Sequence, residues 1–367
     1  LMPLAAAIYL SAGKHPVVGM ICAYAGVEAG YASNIVLAGA DTTLASLTNT
    51  AIRVLAPNSL LEVDVSCNYF FTFASTFIVA STIAIVTERV TAKRFGNYIP
   101  PEGIQIKGDN ELTKLEHRGL QNAGVAGLIY ITFVIVCYFC VPLANILEDG
   151  SLTILKSPFL NGLIPLLFGL FSVLGITYGY STGKFKSTSD VNTAITNQMK
   201  MMGGYITFCF FCGQFQALFT WTQIGTLISV GGAELLKNIN LTGIPLMIVF
   251  MIICGCINIF MPSASAKWAI LGPVFVPMLM ILGYHPAFVQ LLYRLGDSPT
   301  NILTPLNPYL WVLLDLARRD YIPNLKMGKI VSGIIPVSLI LSVVWLLFFI
   351  IWITLGIPIG PGIVPEF

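Results

Sequence analysis

Two charged residues lie inside an apolar stretch of the sequence, where a passive membrane helix would carry none. Arg294 and Asp297 are followed by Asn301, and offsets of three and seven residues place all three on one face of a helix. Each charge costs roughly 2.5 to 3.5 kcal/mol at the centre of a bilayer on insertion scales, so such residues usually face a cavity or each other. The spacing therefore indicates an ion or substrate path.

Prolines follow the two charges, at Pro299 and Pro305. They are expected to interrupt the helix, and carbonyl groups released beside a cavity are suitable cation ligands. We therefore predict a broken helix across 287–317 whose polar backbone contributes to the same path.

The preceding stretch is predicted to be a helical hairpin. An apolar run of 15 residues, 246–260, contains only Asn258 as a polar residue, meets a small polar tip at 262–268, and is followed by a second apolar run to Leu282. A helix of that length rises about 22 Å, less than the bilayer's hydrocarbon core of about 30 Å. We therefore predict that 242–283 is a re-entrant hairpin whose tip stops inside the protein.

The composition is that of an integral membrane protein. The chain is 56% hydrophobic and 10% charged, with a mean hydropathy of +0.82. The apolar runs have helical length and lack the alternation of a membrane barrel, so the predicted fold class is an all-α polytopic membrane protein in contact with the lipid bilayer. A net charge of +2, without a dense Lys/Arg cluster, argues against a nucleic acid partner.

The eight cysteines include two CxxC pairs, at 137/140 and 209/212. Third and fourth ligands of the kind that zinc needs are not near either pair in the sequence. We interpret these cysteines as small packing residues and predict no bound cofactor.

Loop charges predict the orientation of the spans. Loops 91–118, 184–200 and 318–329 are rich in Lys and Arg, so the positive-inside rule places them in the cytoplasm. Passing from an external segment near 240 to the cytoplasmic loop at 318 requires an odd number of membrane crossings. The stretch 287–317 supplies one of them, so 242–283 must return to the side of the membrane that it left. Two full spans would satisfy the same parity, and only the short arms favour re-entrance.

The two halves of the chain share a short pattern. Ser33-Asn34-Ile35 resembles Thr300-Asn301-Ile302, and each lies in an interrupted span with an Asp nearby. Paired interruptions of this kind are typical of inverted-repeat transporters. Asp41 and Glu28 could also be helix-end charges.

These patterns, together with the family resemblance described next, divide the chain into four predicted parts. They are the transport-domain portion of a first repeat (1–64), scaffold spans with the cytoplasmic loop 91–118 (65–183), a second repeat with hairpin 242–283 and broken helix 287–317 (184–329), and a C-terminal scaffold span (330–367).

Several strings resemble the AbgT family, the p-aminobenzoyl-glutamate transporters. They are Ser263–Trp268, PVFVPMLM at 273–280, Arg294–Pro305, AGVxxGYxSNxxxxGxD at 25–41, and Gly13–Pro16. The resemblance covers nearly the whole chain. It implies an inverted-repeat transporter with re-entrant helical hairpins and interrupted helices, in which a transport domain moves against a scaffold that forms a homodimer. It also implies a multi-pass protein of the bacterial inner membrane.

The resemblance implies site residues as well. Those of the substrate path are Asp41, Ser265, Trp268, Pro286, Arg294 and Pro305, and the sodium ligands are Asn258, Asp297 and Asn301. It places the family's first hairpin before Leu1, so we expect the chain to begin within the first repeat and to need that hairpin for transport.

The side-chain chemistry suits an aromatic carboxylate. Trp268 can stack on a ring, and the forked guanidinium of Arg294 can bind a carboxylate. Asp297 would give sodium a charged oxygen, with neutral oxygens from the two asparagines. Structural alternatives are an ion pair between Arg294 and Asp297, an interface anchor at Trp268, packing at Ser265, and a plain helix start at Pro286.

The sequence therefore predicts an ion-coupled secondary transporter and not an enzyme. Its substrates would be p-aminobenzoyl-glutamate, p-aminobenzoate or related aromatic carboxylates and sulfonamides, coupled to sodium or a proton. Symport for uptake and antiport for efflux both remain open. The alternatives are a dicarboxylate transporter of the wider ion-transporter group, a passive channel, and an intramembrane aspartyl protease, which would need Asp41 and Asp297 to face each other.

Overall fold

The computed structural model describes most of the chain. The described residues are 1–55, 61–99, 113–140, 145–146, 152–153, 159, 162–201, 203–224, 227, 231, 234 and 243–363. The predicted external segment near 240 and residues 100–112 of the loop 91–118 lie outside these ranges. Two compact units are present, the first formed by Leu1–Ile106 with Phe208–Phe367 and the second by Lys107–Thr207.

Helices account for nearly all of the described residues. In chain order they are α1 (Met2–Ser11), α2 (Pro16–Gly30), α3 (Gly39–Leu55), α4 (Tyr69–Val86), a π-helical turn (Thr87–Thr91) leading into α5 (Ala92–Phe95), α6 (Lys114–Cys140), α7 (Leu163–Ser181), α8 (Thr188–Met201), α9 (Gly203–Trp221), α10 (Gly243–Phe260), α11 (Ala264–Ile281), α12 (Pro286–Asn301), α13 (Pro308–Asp320) and α14 (Met327–Thr354). A two-residue antiparallel pair, β1 (Asn145–Ile146) with β2 (Leu152–Thr153), accompanies them.

Five helical stretches within the described ranges are long and apolar enough to cross a bilayer. They are Tyr69–Phe95, Lys114–Cys140, Gly243–Phe260, Ala264–Ile281 and Met327–Thr354. The prediction of an all-α polytopic membrane protein is confirmed.

Helix α12 lies at the centre of the first unit. All of its 16 residues except Thr300 are buried, because α2, α3, α10, α11 and α14 all pack against it. A helix that is buried on every side is usually apolar throughout. Helix α12 instead carries Gln290, Arg294, Asp297 and Ser298, so the neighbouring helices must supply partners for these polar groups.

The predicted hairpin is formed by α10 and α11, which are joined by residues 261–263. Each arm has 18 residues, a rise of about 27 Å, and is longer than the 15 residues predicted. The difference arises because α10 begins at Gly243, and Pro245 is tolerated in a first turn, where its missing N–H would have no helical partner. Ser263 caps α11 by accepting a hydrogen bond from the backbone N of Ala266 at 3.4 Å.

Two helices are interrupted in the same way. Residues 302–307 separate α12 from α13, and residues 31–38 separate α2 from α3. Gly13-Lys14-His15-Pro16 begins α2 and Gly283-Tyr284-His285-Pro286 begins α12, each with its glycine at a positive φ, 69° and 90°. Glycine adopts this conformation without strain, so each motif ends one helix and starts the next at its proline. This pair is a longer internal match than the one around Asn34 and Asn301.

The second unit is built on the packing of α6 against α7. A Cβ atom on Gly127 would lie 2.8 Å from Leu174 Cδ2, so the glycine permits a close approach of the two helices. Tyr130 donates a hydrogen bond to the carbonyl of Leu166 at 3.0 Å. The boundaries of the four predicted parts differ from those of the two compact units, so the division into four parts stays a prediction.

Candidate functional site

A buried ion pair joins α12 to the start of α3. Arg294 Nη1 lies 2.5 Å from Asp41 Oδ1, and the two residues are 2% and 5% exposed. Asp41 occupies the first turn of α3, where a carboxylate is favoured, and its Oδ2 accepts a hydrogen bond from the backbone N of Ala38 at 2.7 Å. Arg294 Nε is buried and has no hydrogen-bond partner among the described residues. Two predicted substrate-path residues are thus brought together.

The carboxylate of Asp297 is a meeting point of three segments. Its Oδ1 accepts from the ammonium of Lys267 on α11, and its Oδ2 accepts from the hydroxyl of Tyr31, where α2 ends. The hydroxyl of Tyr293 lies 3.4 Å from the same Oδ2. Lys267 and Asp297 are fully buried, so their charges neutralise each other inside the protein.

Asn258 connects the hairpin to the break after α12. Its Oδ1 accepts from Lys267, and its Nδ2 donates to the carbonyl oxygen of Asp297 at 2.6 Å and to Thr300 Oγ1 at 2.9 Å. The hydroxyl of Thr304 donates to the backbone carbonyl of Asn258 at 2.9 Å. The two ends of the hairpin tip are therefore held against the C-terminal part of α12.

Asn301, the third predicted sodium ligand, contacts a different carboxylate. Its Nδ2 donates to Glu28 Oε2 at 2.9 Å, and Asn307 Nδ2 donates to the same oxygen at 2.6 Å. Glu28 is only 7% exposed and has no salt-bridge partner among the described residues. Within the same ranges Asn301 Oδ1 has no hydrogen-bond partner. Glu28 is therefore an internal anchor between α2 and the break after α12.

Trp268 is enclosed by protein. It is fully buried, stacks on Tyr293 with a ring-centroid distance of 4.6 Å, and donates from Nε1 to Thr48 Oγ1 at 2.9 Å. The hydroxyl of Thr48 in turn donates to Gln290 Oε1 at 2.7 Å. The complete burial does not fit an interface anchor, and one face of the indole is already covered by Tyr293.

The other predicted substrate-path residues lie in different surroundings. Ser265 is exposed just after the hairpin tip, with its hydroxyl 3.5 Å from that of Ser263. Pro305 is exposed in the break after α12, and its carbonyl accepts from Trp311 Nε1 at 3.2 Å. Pro286 is buried as the first residue of α12. The structure thus gathers Asp41, Trp268 and Arg294 around α12 but leaves Ser265 and Pro305 at the surface.

Several residues that complete the site were not predicted to belong to it. Glu28 carried the same signal as Arg294, a charge in an apolar stretch, and Lys267 is the one charge in the polar tip of the predicted hairpin. The neutral partners carried none, because Tyr, Thr and Asn are common in membrane helices. They are Tyr31, Thr48, Tyr293, Thr300, Thr304 and Asn307.

The arrangement suits binding better than acid–base catalysis. An aspartyl protease needs two carboxylates that share a proton. Here Asp41 is paired with Arg294 and Asp297 with Lys267, so each carboxylate has its own cation. A buried charge with one ionic partner can exchange that partner for a charged group of a ligand, so the arrangement is compatible with a binding site.

The sequence matches one protein family over its full length. Residues 1–367 match the profile of the "AbgT putative transporter family". The p-aminobenzoyl-glutamate transport protein of Escherichia coli (strain K12) is 34% identical over 365 residues, which cover 99% of this chain and 70% of that protein.

Two solved structures resemble the fold. The YdaH transporter of Alcanivorax borkumensis has a TM-score of 0.61 at 34% identity, over 98% of this chain and 74% of that one. MtrF of Neisseria gonorrhoeae, described as illuminating a class of antimetabolite efflux pumps, has a TM-score of 0.58 at 37% identity, over 99% and 72%. Since the profile, the sequence relative and both structures agree along nearly the whole chain, this protein belongs to the AbgT family of transporters.

Proposed function

We propose that the protein is an ion-coupled secondary transporter of aromatic carboxylates. The proposed substrates are p-aminobenzoyl-glutamate, p-aminobenzoate or related aromatic carboxylates and sulfonamides. The E. coli relative is named a p-aminobenzoyl-glutamate transport protein and the N. gonorrhoeae relative an antimetabolite efflux pump, which supports this class. The observation that carries the proposal is the buried guanidinium of Arg294, whose Nε lacks a partner among the described residues. A buried donor without an acceptor is costly, and a ligand carboxylate would satisfy it.

Arg294 is suited to exchange its partners. A guanidinium offers five N–H donors in a planar fork and binds a carboxylate through two of them at once. Asp41 engages Nη1, so a substrate carboxylate could bind along the Nε edge beside Asp41 or replace it. If the substrate replaces Asp41, the guanidinium again faces a single carboxylate, whereas in the side-by-side arrangement two carboxylates share the one cation.

Access to Arg294 requires the hairpin to move. Arg294 is 2% exposed and Trp268 fully buried, whereas Ser265 is exposed next to the tip. Helix α11 packs on α3 and is linked to it by the hydrogen bond from Trp268 to Thr48. Separation of α11 from α3 would break this bond, free an edge of the indole and open a way from Ser265 to the ion pair. Opening and closing of the hairpin is thus the gate of the proposed transporter.

The proposed oligomeric state, location and coupling ion are those predicted in the sequence analysis. The transporter acts as a homodimer in the bacterial inner membrane, carries no resident cofactor, and couples flux to sodium or protons for uptake or efflux. An aliphatic dicarboxylate is the second candidate substrate, because Trp268 already has an aromatic partner in Tyr293.

The test is flux in proteoliposomes that contain the complete gene product. Radiolabelled p-aminobenzoate, p-aminobenzoyl-glutamate and succinate are supplied under a sodium gradient and, separately, a pH gradient. We expect saturable, gradient-driven flux of the aromatic compounds. Arg294→Lys should raise KM about tenfold, equivalent to about 1.4 kcal/mol, because Lys lacks the fork. Arg53→Lys, at an exposed arginine, is the matched control.

Three outcomes would contradict the proposal. Faster flux of succinate than of either aromatic compound would favour the dicarboxylate transporter. A voltage-driven current without saturation would indicate a channel. If no compound moves under either gradient, the substrate class must be abandoned.

A further inference from the structure

The side chain of Lys267 ends at two oxygens that the sequence predicts as sodium ligands. Its Nζ contacts Asn258 Oδ1 and Asp297 Oδ1 in two close contacts. All three residues are fully buried, and Lys267 forms its ion pair with Asp297 out of contact with solvent. The ammonium group therefore lies where a sodium ion held by Asn258 and Asp297 would have to lie.

The hydrogen bonds fix the orientation of the Asn258 amide. Its Nδ2 donates to the backbone oxygen of Asp297 at 2.6 Å, and its Oδ1 faces the ammonium, which has donors only. Rotating the amide by 180° would place its NH2 group against the ammonium and an oxygen against a carbonyl. The amide oxygen is therefore committed to Lys267.

The third predicted ligand is committed elsewhere. Asn301 donates from Nδ2 to Glu28 Oε2 at 2.9 Å, on the side of α2. Of the three predicted ligands, Asn258 and Asp297 meet at Lys267 and Asn301 meets Glu28. The residues present therefore do not fit a sodium ion shared among all three.

Sodium and an ammonium group compete for the same surroundings. Both are monovalent cations that need oxygen ligands, and two cations at one carboxylate repel strongly where water is excluded and the dielectric constant is low. To bind between Asn258 and Asp297, sodium would have to displace the ammonium of Lys267, which would then be buried without a counter-ion. Because the lysine side chain is attached to α11, its ammonium occupies the site whenever the hairpin is closed.

We infer that Lys267 is a built-in cation that takes the place of sodium between Asn258 and Asp297. The native protein does not bind sodium at this position, and removal of the Lys267 charge creates a monovalent-cation site there. The inference rests on the proposed function in one respect: if the protein is an ion-coupled transporter, its coupling ion is not a sodium ion bound at this position. The site itself can be tested without measuring transport.

The test is sodium binding to the complete gene product in detergent. Saturable binding of radioactive sodium is measured together with the melting temperature in sodium chloride and in choline chloride at equal ionic strength. Lys267→Gln should bind one equivalent of sodium more than the native protein and melt at a higher temperature in sodium than in choline. Lys93→Gln removes an exposed charge and should behave like the native protein. Adding Asp297→Asn to Lys267→Gln should abolish the gained equivalent.

Two outcomes would overturn the inference. One is saturable sodium binding by the native protein that Asp297→Asn abolishes. The other is a Lys267→Gln protein that melts cooperatively yet gains no sodium. If Lys267→Gln does not fold, sodium binding is compared between the native protein and Asp297→Asn. The inference is supported if the native protein binds no sodium, or if it binds sodium equally well with Asp297→Asn in place. Sodium binding is measured independently of substrate flux, so failure of the transport assay would contradict the proposed substrate class and not this inference.

Discussion

Arg294 on α12 and Asp41 on α3 form an ion pair across the two interrupted helices, with 2.5 Å between Nη1 and Oδ1. The helices α2 and α3 flank one break, and α12 and α13 flank the other. The pair therefore ties the segment after the first break to the segment before the second. Any movement that separates α3 from α12 must first break this contact or replace it with a ligand.

Asp41→Ala should destabilise the protein strongly. Removing one member of a buried ion pair costs about 3 to 5 kcal/mol, because the remaining charge is left without a partner. The measurement is the free energy of unfolding in detergent. The double variant Asp41→Leu with Arg294→Leu should be more stable than Asp41→Ala, since no buried charge then remains.

The exposed pair of Arg53 and Glu62 provides the control for this prediction. Both side chains are more than 60% exposed, and an exposed pair contributes at most about 1 kcal/mol. Glu62→Ala should therefore leave the free energy of unfolding nearly unchanged. Equal effects of Asp41→Ala and Glu62→Ala would mean that the buried pair does not hold α3 to α12.

The position of the buried polar cluster around α12 could be predicted from the sequence, because charges in an apolar stretch are rare unless they face a cavity or a partner. Arg294 and Asp297 follow from that argument. The break was predicted from the two prolines, and it comes after Asn301, since Pro299 lies inside α12 and does not interrupt it. The hairpin could also be predicted, since its polar tip separates two apolar runs. Its arms were predicted too short because the start of α10 depends on how Gly243 and Pro245 fit the first turn.

The pairing of the charges could not be predicted. Arg294 and Asp297 lie three residues apart on one helix, and local spacing favours an ion pair between them. In the structure Arg294 turns to Asp41 and Asp297 to Lys267, residues that are 253 and 30 positions away in the chain respectively. Those partners are set by the packing of α3 and α11 against α12, which no local pattern encodes.

Glu28 illustrates the same limit. A carboxylate near the end of an apolar span is compatible with a helix-end charge at the membrane surface. The structure instead buries Glu28 against Asn301 and Asn307, at the two ends of the break after α12. Since Glu28 precedes Asn301 by 273 residues, only the tertiary structure creates this contact and reveals the role of Glu28.

Glu28→Leu should destabilise the protein more than Glu28→Gln. Leucine removes the oxygen that accepts from Asn301 and Asn307, and each buried donor left unpaired costs about 1 to 3 kcal/mol. Glutamine keeps one oxygen that can accept from both. The free energies of unfolding of the two variants in detergent are compared with that of the native protein. Equal values for Glu28→Leu and Glu28→Gln would show that these hydrogen bonds do not stabilise the fold.

Acid should destabilise the turn between α1 and α2 through His15. Burial, assisted by the charge of Lys329, lowers the pKa of His15 from 6.5 to about 4, and its ring packs against Phe95 and Tyr98. Between pH 6.5 and 4 the unfolded chain binds the proton more readily than the folded one, so the free energy of unfolding falls as the pH is lowered through this range. Above pH 6.5 His15 contributes no pH dependence.

The variant His15→Phe tests this prediction by keeping a ring between Phe95 and Tyr98 without the titrating group. The melting temperature is followed from pH 8 to pH 4. His15→Phe should lose part of the decrease seen below pH 6.5, while His117→Gln, at an exposed histidine, should retain it. Identical pH profiles for the native protein and His15→Phe would assign the acid sensitivity to other groups.

Gly296→Ala should disturb the site through packing alone. Helices α10 and α12 approach so closely that a Cβ on Gly296 would lie 2.9 Å from Cys254 Cβ and closer still to the backbone oxygen of Met251. Overpacking of this kind typically costs about 1 to 3 kcal/mol. It would also shift Asn258 relative to Asp297, so melting temperature and substrate flux should both decrease.

Gly26→Ala, on α2 with no atom within 4 Å of its added Cβ, is the matched control and should be neutral or slightly stabilising. A Gly296→Ala protein as stable as Gly26→Ala would show that α10 can move away from α12 without loss, and that the contact between these helices does not position the site.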